Sequence, residues 1–266
     1  MIMKREFMCV MAGALMFAGC MDARAVQWQE VRSEHFIVYY LEDKPFAGEV
    51  SRRAEEYYRR IAADLGYVRY SGFWKWDERA KIYIYRTHEE FLEETNIPRK
   101  WAKGVARYEK KEIASFRAHG DFLDGLLPHE IAHLIFRDFV GFPLSGEGVP
   151  LWIDEGVAQW AEKNTKTRAG GLMRAHLRSG VHIPFSDLTE LDVRKVDDQG
   201  MAHLFYVQSI TIIDFLIQKY GGERFTRFAR GLRDGKSVDA ALSAAYTNYI
   251  AGINDLEKKW IEYYGV

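Results

Sequence analysis

One stretch is more informative than any other in this sequence: Leu127-Pro128-His129-Glu130-Ile131-Ala132-His133-Leu134. Positions i and i+4 of a helix share a face, so His129 and His133 can bind a single zinc ion. Glu130 is then placed to act as general base on the water that the metal activates. The proline suits the first turn of a helix, and the apolar stripe predicts a buried helix over about 128–136.

Two histidines do not complete a zinc site, and Glu155 offers the third ligand. It lies 22 positions after His133 in the stretch Trp152-Ile153-Asp154-Glu155-Gly156-Val157-Ala158-Gln159-Trp160. That gap lets the first helix end, the chain turn and a second helix return a carboxylate to the metal, with the fourth position open for water. An acid among tryptophans is also less suited to a purely solvated surface. The sequence therefore predicts one Zn²⁺ per chain, held by His129, His133 and Glu155.

These two motifs resemble the gluzincin metallopeptidases, whose signature is His-Glu-x-x-His followed by a Glu on a second helix. The chain looks most similar to the bacterial peptidase MA-like family of exported proteins, and the similarity covers nearly everything after the leader. The resemblance implies a zincin-like fold and hydrolysis of a peptide or protein substrate. It implies that His129, His133 and Glu155 bind zinc and that Glu130 takes a proton from the bound water.

The resemblance also implies roles around the metal. Glu162 matches a Glu seven residues past the third ligand in aminopeptidase-like gluzincins, where it can orient a histidine through its other ring nitrogen. Asp154 is a second candidate for that role, although an acid near a helix start is more often a cap. Gluzincins commonly stabilise the oxyanion with a Tyr or His from a later helix, and Tyr206 and His203 are the candidates here. Either one could instead pack in the core.

Strand and helix patterns alternate before the metal motifs, and helical patterns alone follow them. This order predicts an α+β fold: a mixed β-sheet with the active-site helix, followed by an all-helical C-terminal subdomain. We expect subdomains at 26–170 and 171–266. The strands are expected at 35–40, 81–85, 105–108 and 113–116, and the helices at about 50–65, 88–95, 202–220, 223–232, 238–246 and 253–264. The last two strands resemble a hairpin, and either could pair with extended substrate, as an edge strand does in zincins.

Residues 1–25 read as a signal peptide rather than as part of the fold. Basic residues precede an apolar stretch, 7–18, that is too short to be a permanent membrane helix. Phe17-Ala18-Gly19-Cys20 resembles a lipobox and predicts a lipid anchor at Cys20 in the bacterial cell envelope. Ala23-Arg24-Ala25 fits ordinary signal cleavage and predicts a periplasmic or secreted protein. Both alternatives place the protein outside the cytoplasm.

Composition limits the partners that the protein can have. The formal net charge of −1 gives no reason to expect nucleic acid, and the only membrane contact predicted is the possible lipid anchor. Cys9 and Cys20 are the only cysteines, so no internal disulfide is expected after processing. A hydrophobic content of 48% is sufficient to bury a large core without one.

Two other functions compete with a peptidase. The same metal and water could hydrolyse another amide or an ester. A non-catalytic envelope protein could also retain the fold for binding, but it would be expected to lose the base or a ligand, and all four residues are present. The segment 114–126 contains only Asp121 and Asp124 as acids and no obvious amine-binding motif of the aminopeptidase type, which favours endopeptidase action.

Overall fold

The structure covers most of the chain after residue 26. The computed structural model describes residues 27–67, 74, 78–97, 102–117, 120–141, 149–163 and 165–265. The predicted signal peptide, with both of its processing sites, lies outside these residues. Most of the glycine-containing loop between the two metal motifs, 142–148, lies outside them as well.

A five-stranded mixed sheet forms the first layer of the described fold. Its strands are β1 (Gln29–Arg32), β2 (Phe36–Tyr40), β3 (Ala80–Tyr85), β4 (Gly104–Arg107) and β5 (Glu112–Phe116). The order across the sheet is β1-β2-β3-β5-β4. The three central strands run parallel, and the edge strands β1 and β4 are antiparallel to their neighbours. The expected hairpin is therefore present as β4 and β5, with β4 on the edge and β5 paired on both sides.

Ten α-helices occur within the described residues. They are α1 (Lys44–Asp64), α2 (His88–Thr95), α3 (Leu127–Val140), α4 (Leu151–Ala161), α5 (Thr165–Arg178), α6 (Phe185–Glu190), α7 (Gln199–Tyr220), α8 (Gly222–Arg233), α9 (Val238–Ala245) and α10 (Ile253–Tyr264). Every predicted helix is present, whereas β1, α5 and α6 were not predicted. The molecule is thus α+β and mostly helical, with a small mixed sheet.

The sheet is covered unequally on its two faces. Alternate residues of β2 and β3 are fully buried, as a half-buried strand requires, and α1 packs against β2 and α3 on that side. On the other side α2 covers part of β3 and β5, where Tyr85, Phe91 and Phe116 form a smaller apolar cluster. The larger core is continuous from the sheet through α3 to the C-terminal helices.

Helix α7 is the central helix of the second layer. It contacts α4, α5, α8 and α10, and it is apolar around most of its circumference, as a helix buried on all sides must be. Its length and composition would allow it to cross a bilayer, but most of it is buried against other helices, as in the core of a soluble protein. The predicted subdomain boundary at residue 170 falls within α5, and the division into 26–170 and 171–266 remains a prediction.

The active-site helix α3 is longer than expected. A π-helical turn, Phe122–Leu126, leads into it, and it continues past 136 for another turn. It ends at Gly141, which adopts a left-handed conformation with φ of 62° and donates its N–H to the carbonyl of Arg137. A glycine is the usual residue for such a helix end, because other residues are strained at positive φ. The extra turn brings Arg137 into the same helix as the two histidines.

Candidate metal centre

Helices α3 and α4 bring the three predicted ligands together. The Nε2 atoms of His129 and His133 lie 3.2 Å apart. Glu155 Oε2 lies 3.8 Å from His129 Nε2 and 3.7 Å from His133 Nε2. These donor atoms form a compact triangle of the kind that can hold a metal ion. The triangle depends on the close packing of α3 against α4, because each helix supplies only part of it.

A carboxylate lies next to the Nδ1 atom of each histidine ring. Glu162 Oε1 lies 2.8 Å from His129 Nδ1, and its other oxygen accepts a hydrogen bond of 2.9 Å from the Thr165 hydroxyl. Asp154 Oδ1 lies 3.0 Å from His133 Nδ1, as an ion-pair contact outside strict hydrogen-bond alignment. A carboxylate facing Nδ1 favours the ring proton on that nitrogen and leaves Nε2 as a lone pair. Both candidates for orienting a histidine are thus in contact with one.

The donor set fits a divalent cation such as zinc. In a tetrahedral zinc site with bonds of about 2.0–2.1 Å to nitrogen and oxygen, neighbouring ligand atoms are separated by roughly 3.3–3.4 Å. The observed separations, 3.2 to 3.8 Å, lie close to that spacing. Two imidazole lone pairs and a carboxylate oxygen pointing at one another repel unless positive charge lies between them. The residues therefore satisfy both the geometry and the charge that a metal site needs.

The electrostatics of the cluster also favour positive charge. Burial lowers the pKa of His133, but the negative charges of Asp154 and Glu155 outweigh burial and raise it above its usual range. For Glu155, burial raises the pKa and the neighbouring His133 lowers it, and the net change is downward. Hydrogen bonding to Glu162 likewise raises the pKa of His129 against the effect of its burial. Three carboxylates around two imidazoles thus attract either protons or a metal.

Glu130, the predicted general base, is half-buried on α3 beside the ligand triangle. Among the described residues, no hydrogen bond or ion pair occupies its carboxylate. Burial, and then the nearby charge of Glu130, raise the pKa of Tyr108 above its usual range, which places that phenol in the neighbourhood of the base.

The two predicted oxyanion donors lie on α7 rather than in the triangle. His203 is exposed near the start of the helix, and Tyr206 is half-buried and packs edge-on against Phe205 at 5.5 Å. Their role at the oxyanion remains a prediction.

Sequence reasoning missed three residues near the centre. Arg137 donates to both oxygens of Asp154, and its guanidinium lies 3.4 Å from the centre of the Tyr108 ring. The third residue is Arg194. Its hydrogen bond with Asp192 is the main cause that raises its pKa, and the negative charge of Glu155 raises that pKa further. The only sequence signal was for Arg137, which falls four residues after His133 and so on the same helix face.

Strand β4 lies beside the entrance to the active-site helix. A Cβ at Gly104 would approach the side chain of Leu126, just before α3, to 2.7 Å, so only glycine allows this contact without a shift. Since β5 is paired on both sides, β4 is the member of the hairpin with an outer edge in the described sheet. Of the two strands that could pair with a substrate, the topology therefore favours β4.

Comparison with known proteins agrees with these observations. The family model described as the peptidase MA superfamily matches residues 71–263, which include both metal motifs and all the C-terminal helices. No curated protein matches the chain. Peptidases of this superfamily are typically metal-dependent, and the match supports a peptidase-like function. Because the match covers more than half of the chain, the resemblance read from the two motifs is confirmed, and the protein belongs to the peptidase MA superfamily.

Proposed function

We propose that this protein is a zinc metallopeptidase of the gluzincin type, with a zincin-like arrangement of sheet and active-site helix. The observation that carries the proposal is the convergence of His129 Nε2, His133 Nε2 and Glu155 Oε2 from two helices. Three protein ligands leave a fourth position for water, as catalytic zinc sites do and structural ones do not. A base, Glu130, follows the first ligand directly.

Side chains of the protein transfer the proton and orient the two histidines. Zinc, when bound, activates a water molecule and polarises the carbonyl of the scissile peptide. Glu130 accepts the proton of the attacking water and delivers it to the leaving amine. Glu162 and Asp154 keep the ring protons of His129 and His133 on Nδ1, so that each Nε2 remains a ligand.

The substrate is a peptide or protein bound in extended form along β4. The exposed edge of an antiparallel strand offers N–H and C=O groups to a partner strand, which recognises backbone rather than sequence. We propose Tyr206 and His203 as donors to the oxyanion. Recognition through the backbone supports endopeptidase action.

We further propose that the protein works outside the cytoplasm. The support for this is the N-terminal sequence alone, in which a lipid on Cys20 and cleavage after Ala25 remain alternatives. The mass of the mature N-terminus separates the two: a diacylglyceryl group on Cys20 identifies the anchored form, and a free amino group on Val26 identifies the soluble form. An unprocessed Met1 in the mature protein would contradict export.

The function is tested by measuring zinc and peptide cleavage together in wild type and Glu130→Gln. We expect one zinc per chain in both proteins, and a rate of cleavage about 10²–10⁴-fold lower in the variant, because only proton transfer is lost. Glu93→Gln is the matched control, since it removes an exposed carboxylate on α2 away from the centre.

Three results would contradict the proposal. Wild-type protein that binds no zinc would rule out the metal site, and full activity in Glu130→Gln would remove Glu130 from its role. Zinc-loaded protein that cleaves an ester or a non-peptide amide, but no peptide in a diverse library, would replace the peptidase with the alternative hydrolase.

A further inference from the structure

Next to His133 lies a set of three side chains, of which only Asp154 has a role in the proposed reaction. We call Tyr108, Arg137 and Asp154 together the Arg137 clamp. Asp154 lies on α4 directly before Glu155, Arg137 lies on α3 one turn after His133, and Tyr108 follows β4. The clamp therefore connects both helices of the metal centre to the edge strand.

The orientation of Asp154 is fixed by the guanidinium of Arg137. The Nε atom donates to Oδ1 at 3.0 Å and to Oδ2 at 3.1 Å, and Nη2 makes a further short contact with Oδ2. Such a fork holds a carboxylate in one plane, which a single ammonium cannot do. In that plane Oδ1 also reaches His133 Nδ1 at 3.0 Å. Arg137 thus sets the position of the atom that faces the ring of the metal ligand.

Both side chains of this ion pair are largely shielded from water. Asp154 is only 1% exposed, and the side chain of Arg137 is 15% exposed. A buried carboxylate without a partner is costly, and the partners of Asp154 are the guanidinium of Arg137 and Nδ1 of the His133 ring. If the arginine is removed, the carboxylate has to turn, take up a proton or draw in water. Each of these changes alters its contact with His133.

Tyr108 holds Arg137 from the opposite side. The guanidinium carbon lies 3.4 Å from the centre of the tyrosine ring, and the same ring meets His133 edge-on at 6.0 Å. Stacking on an aromatic face restricts an arginine that would otherwise sample several rotamers. Because Tyr108 directly follows β4, a shift of the edge strand would also move the ring that contacts Arg137 and His133.

We propose that Arg137 and Tyr108 are positioning residues for the metal ligand His133, acting through Asp154. This inference rests on the proposed zinc site, and it adds that the affinity of the site depends on two residues that do not touch the metal. It also means that the strand proposed to bind substrate and the helix that binds metal share one rigid contact.

The zinc dissociation constant, measured by competition with a chromophoric chelator, tests the proposal without using activity. We expect Arg137→Met to weaken zinc binding about 10–100-fold, the range usual for residues that orient a metal ligand. Arg137→Lys should recover only part of the loss, because it restores the charge and not the fork. Tyr108→Leu should weaken binding by less than Arg137→Met, and Tyr108→Phe, which keeps the ring, should resemble wild type.

A matched control separates positioning from general stability. Arg224, near the start of α8, lies 4.9 Å from the ring of Tyr249 in a similar stack that contains none of the proposed metal ligands. Arg224→Met should therefore lower the melting temperature of the metal-free protein without changing zinc affinity. Since Arg137→Met leaves a buried carboxylate unpaired, the double variant Arg137→Met/Asp154→Asn provides a second measurement with neither charge, and it should show the same weak zinc binding.

The outcomes distinguish this inference from the proposed function. Wild-type protein that binds no zinc would overturn both. Wild-type binding with unchanged affinity in folded Arg137→Met would overturn only the positioning role. If Arg137→Met fails to fold, the double variant and the Tyr108 pair decide: unchanged affinity in the double variant, or equal affinities in Tyr108→Leu and Tyr108→Phe, would overturn the clamp.

Discussion

Gly156 allows α4 to lie unusually close to α7, at the residue that follows the third proposed ligand. A Cβ at this position would come within 2.6 Å of the carbonyl oxygen of Ser209 and 2.7 Å of a side-chain carbon of Ile213. The carbonyl belongs to the backbone of α7 and cannot rotate away. The position of Glu155 relative to the rest of the helical layer therefore depends on the absence of a side chain next to it.

Gly156→Ala should destabilise the protein by about 1–3 kcal/mol, because the added methyl group forces the two helices apart. It should also weaken zinc binding, since α4 carries Glu155. Gly171→Ala is the control: this glycine is helical and exposed, a Cβ would meet nothing within 4 Å, and alanine is the better helix former by about 1 kcal/mol. Chemical denaturation of both variants gives the comparison, and equal stabilities would contradict the close contact.

At the scale of single residues, the sequence predicted which candidate ligands converge better than it predicted the side chains around them. His129, His133 and Glu130 follow from spacing on one helix, and Glu155 from a second motif, so local patterns were sufficient. Asp154 was expected to be a helix cap more often than a histidine partner, and it is instead buried against Arg137 and His133. Helix periodicity cannot show a contact between α3 and α4, because that contact depends on how the two helices pack.

His35, directly before β2, and Glu55, on α1, form a pair that joins the strand to the helix. Glu55 accepts hydrogen bonds of 2.7 Å from the backbone N–H of His35 and pairs at 2.8 Å with Nδ1 of its ring. The ring also stacks on Tyr58 at 4.0 Å. This pair fixes where the first helix lies against the sheet, and α1 in turn contacts the active-site helix.

Glu55→Gln should make the stability of the protein less dependent on acid pH. Burial raises the pKa of Glu55, but hydrogen bonds from His35 outweigh it, and the pKa falls below the usual 4.5. A lowered pKa gives stability that is present above the unfolded value and is lost as the pH falls through the folded value. Near neutral pH we expect the variant to be less stable by about 1–2 kcal/mol.

Thermal melts from pH 7 to the acid limit of folding check this prediction. The melting temperatures of wild type and Glu55→Gln should converge as the pH falls. The exposed Glu93→Gln variant makes the same charge change on α2, and its difference from wild type should stay small throughout. A gap for Glu55→Gln that is as large in acid as at neutral pH would show that the carboxylate charge contributes nothing.

At the scale of elements, strong periodicity was predictive and weak periodicity was not. The helix from Ile253 to Tyr264 was predicted with its observed bounds, and Thr87 caps α2 as expected, accepting a 3.2 Å hydrogen bond from the backbone N–H of Glu90. In contrast, β1 is mostly exposed and contains a single apolar residue, α5 contains two adjacent glycines, and α6 is only six residues long. Tertiary packing stabilises these three elements, so their local sequence carries little signal.

For the whole molecule, zinc should stabilise the fold as well as supply chemistry. A ligand that binds only the native state at about 1,000 times its dissociation constant adds roughly 4 kcal/mol, or about 8–16 °C in melting temperature for a protein of this size. A chelator should reverse the shift. Magnesium is the control ion, because it prefers oxygen ligands in octahedral geometry. The same titration of Glu155→Gln should give a smaller shift, and an equal shift would remove Glu155 from the site.

The fold class could be predicted for the molecule as a whole, because strands precede the metal motifs and helices follow them. The family could also be predicted, because the two motifs together are specific, and the superfamily match confirms it. The division into subdomains stays a prediction, because helical packing is continuous across α5. Export also stays a prediction, because only the N-terminal sequence supports it.

The spacing of the ligands has a further consequence for the lifetime of the protein. His133 and Glu155 are 22 positions apart, and no cysteine follows residue 20, so a shared metal would add a coordinate cross-link to the side-chain contacts between α3 and α4. A cross-link of this kind disfavours separation of the two helices and so slows unfolding. Loss of the metal would then expose an unfolding chain to cleavage by any loaded copy nearby. Under the proposed function, copies that have lost the metal would therefore be degraded by copies that retain it.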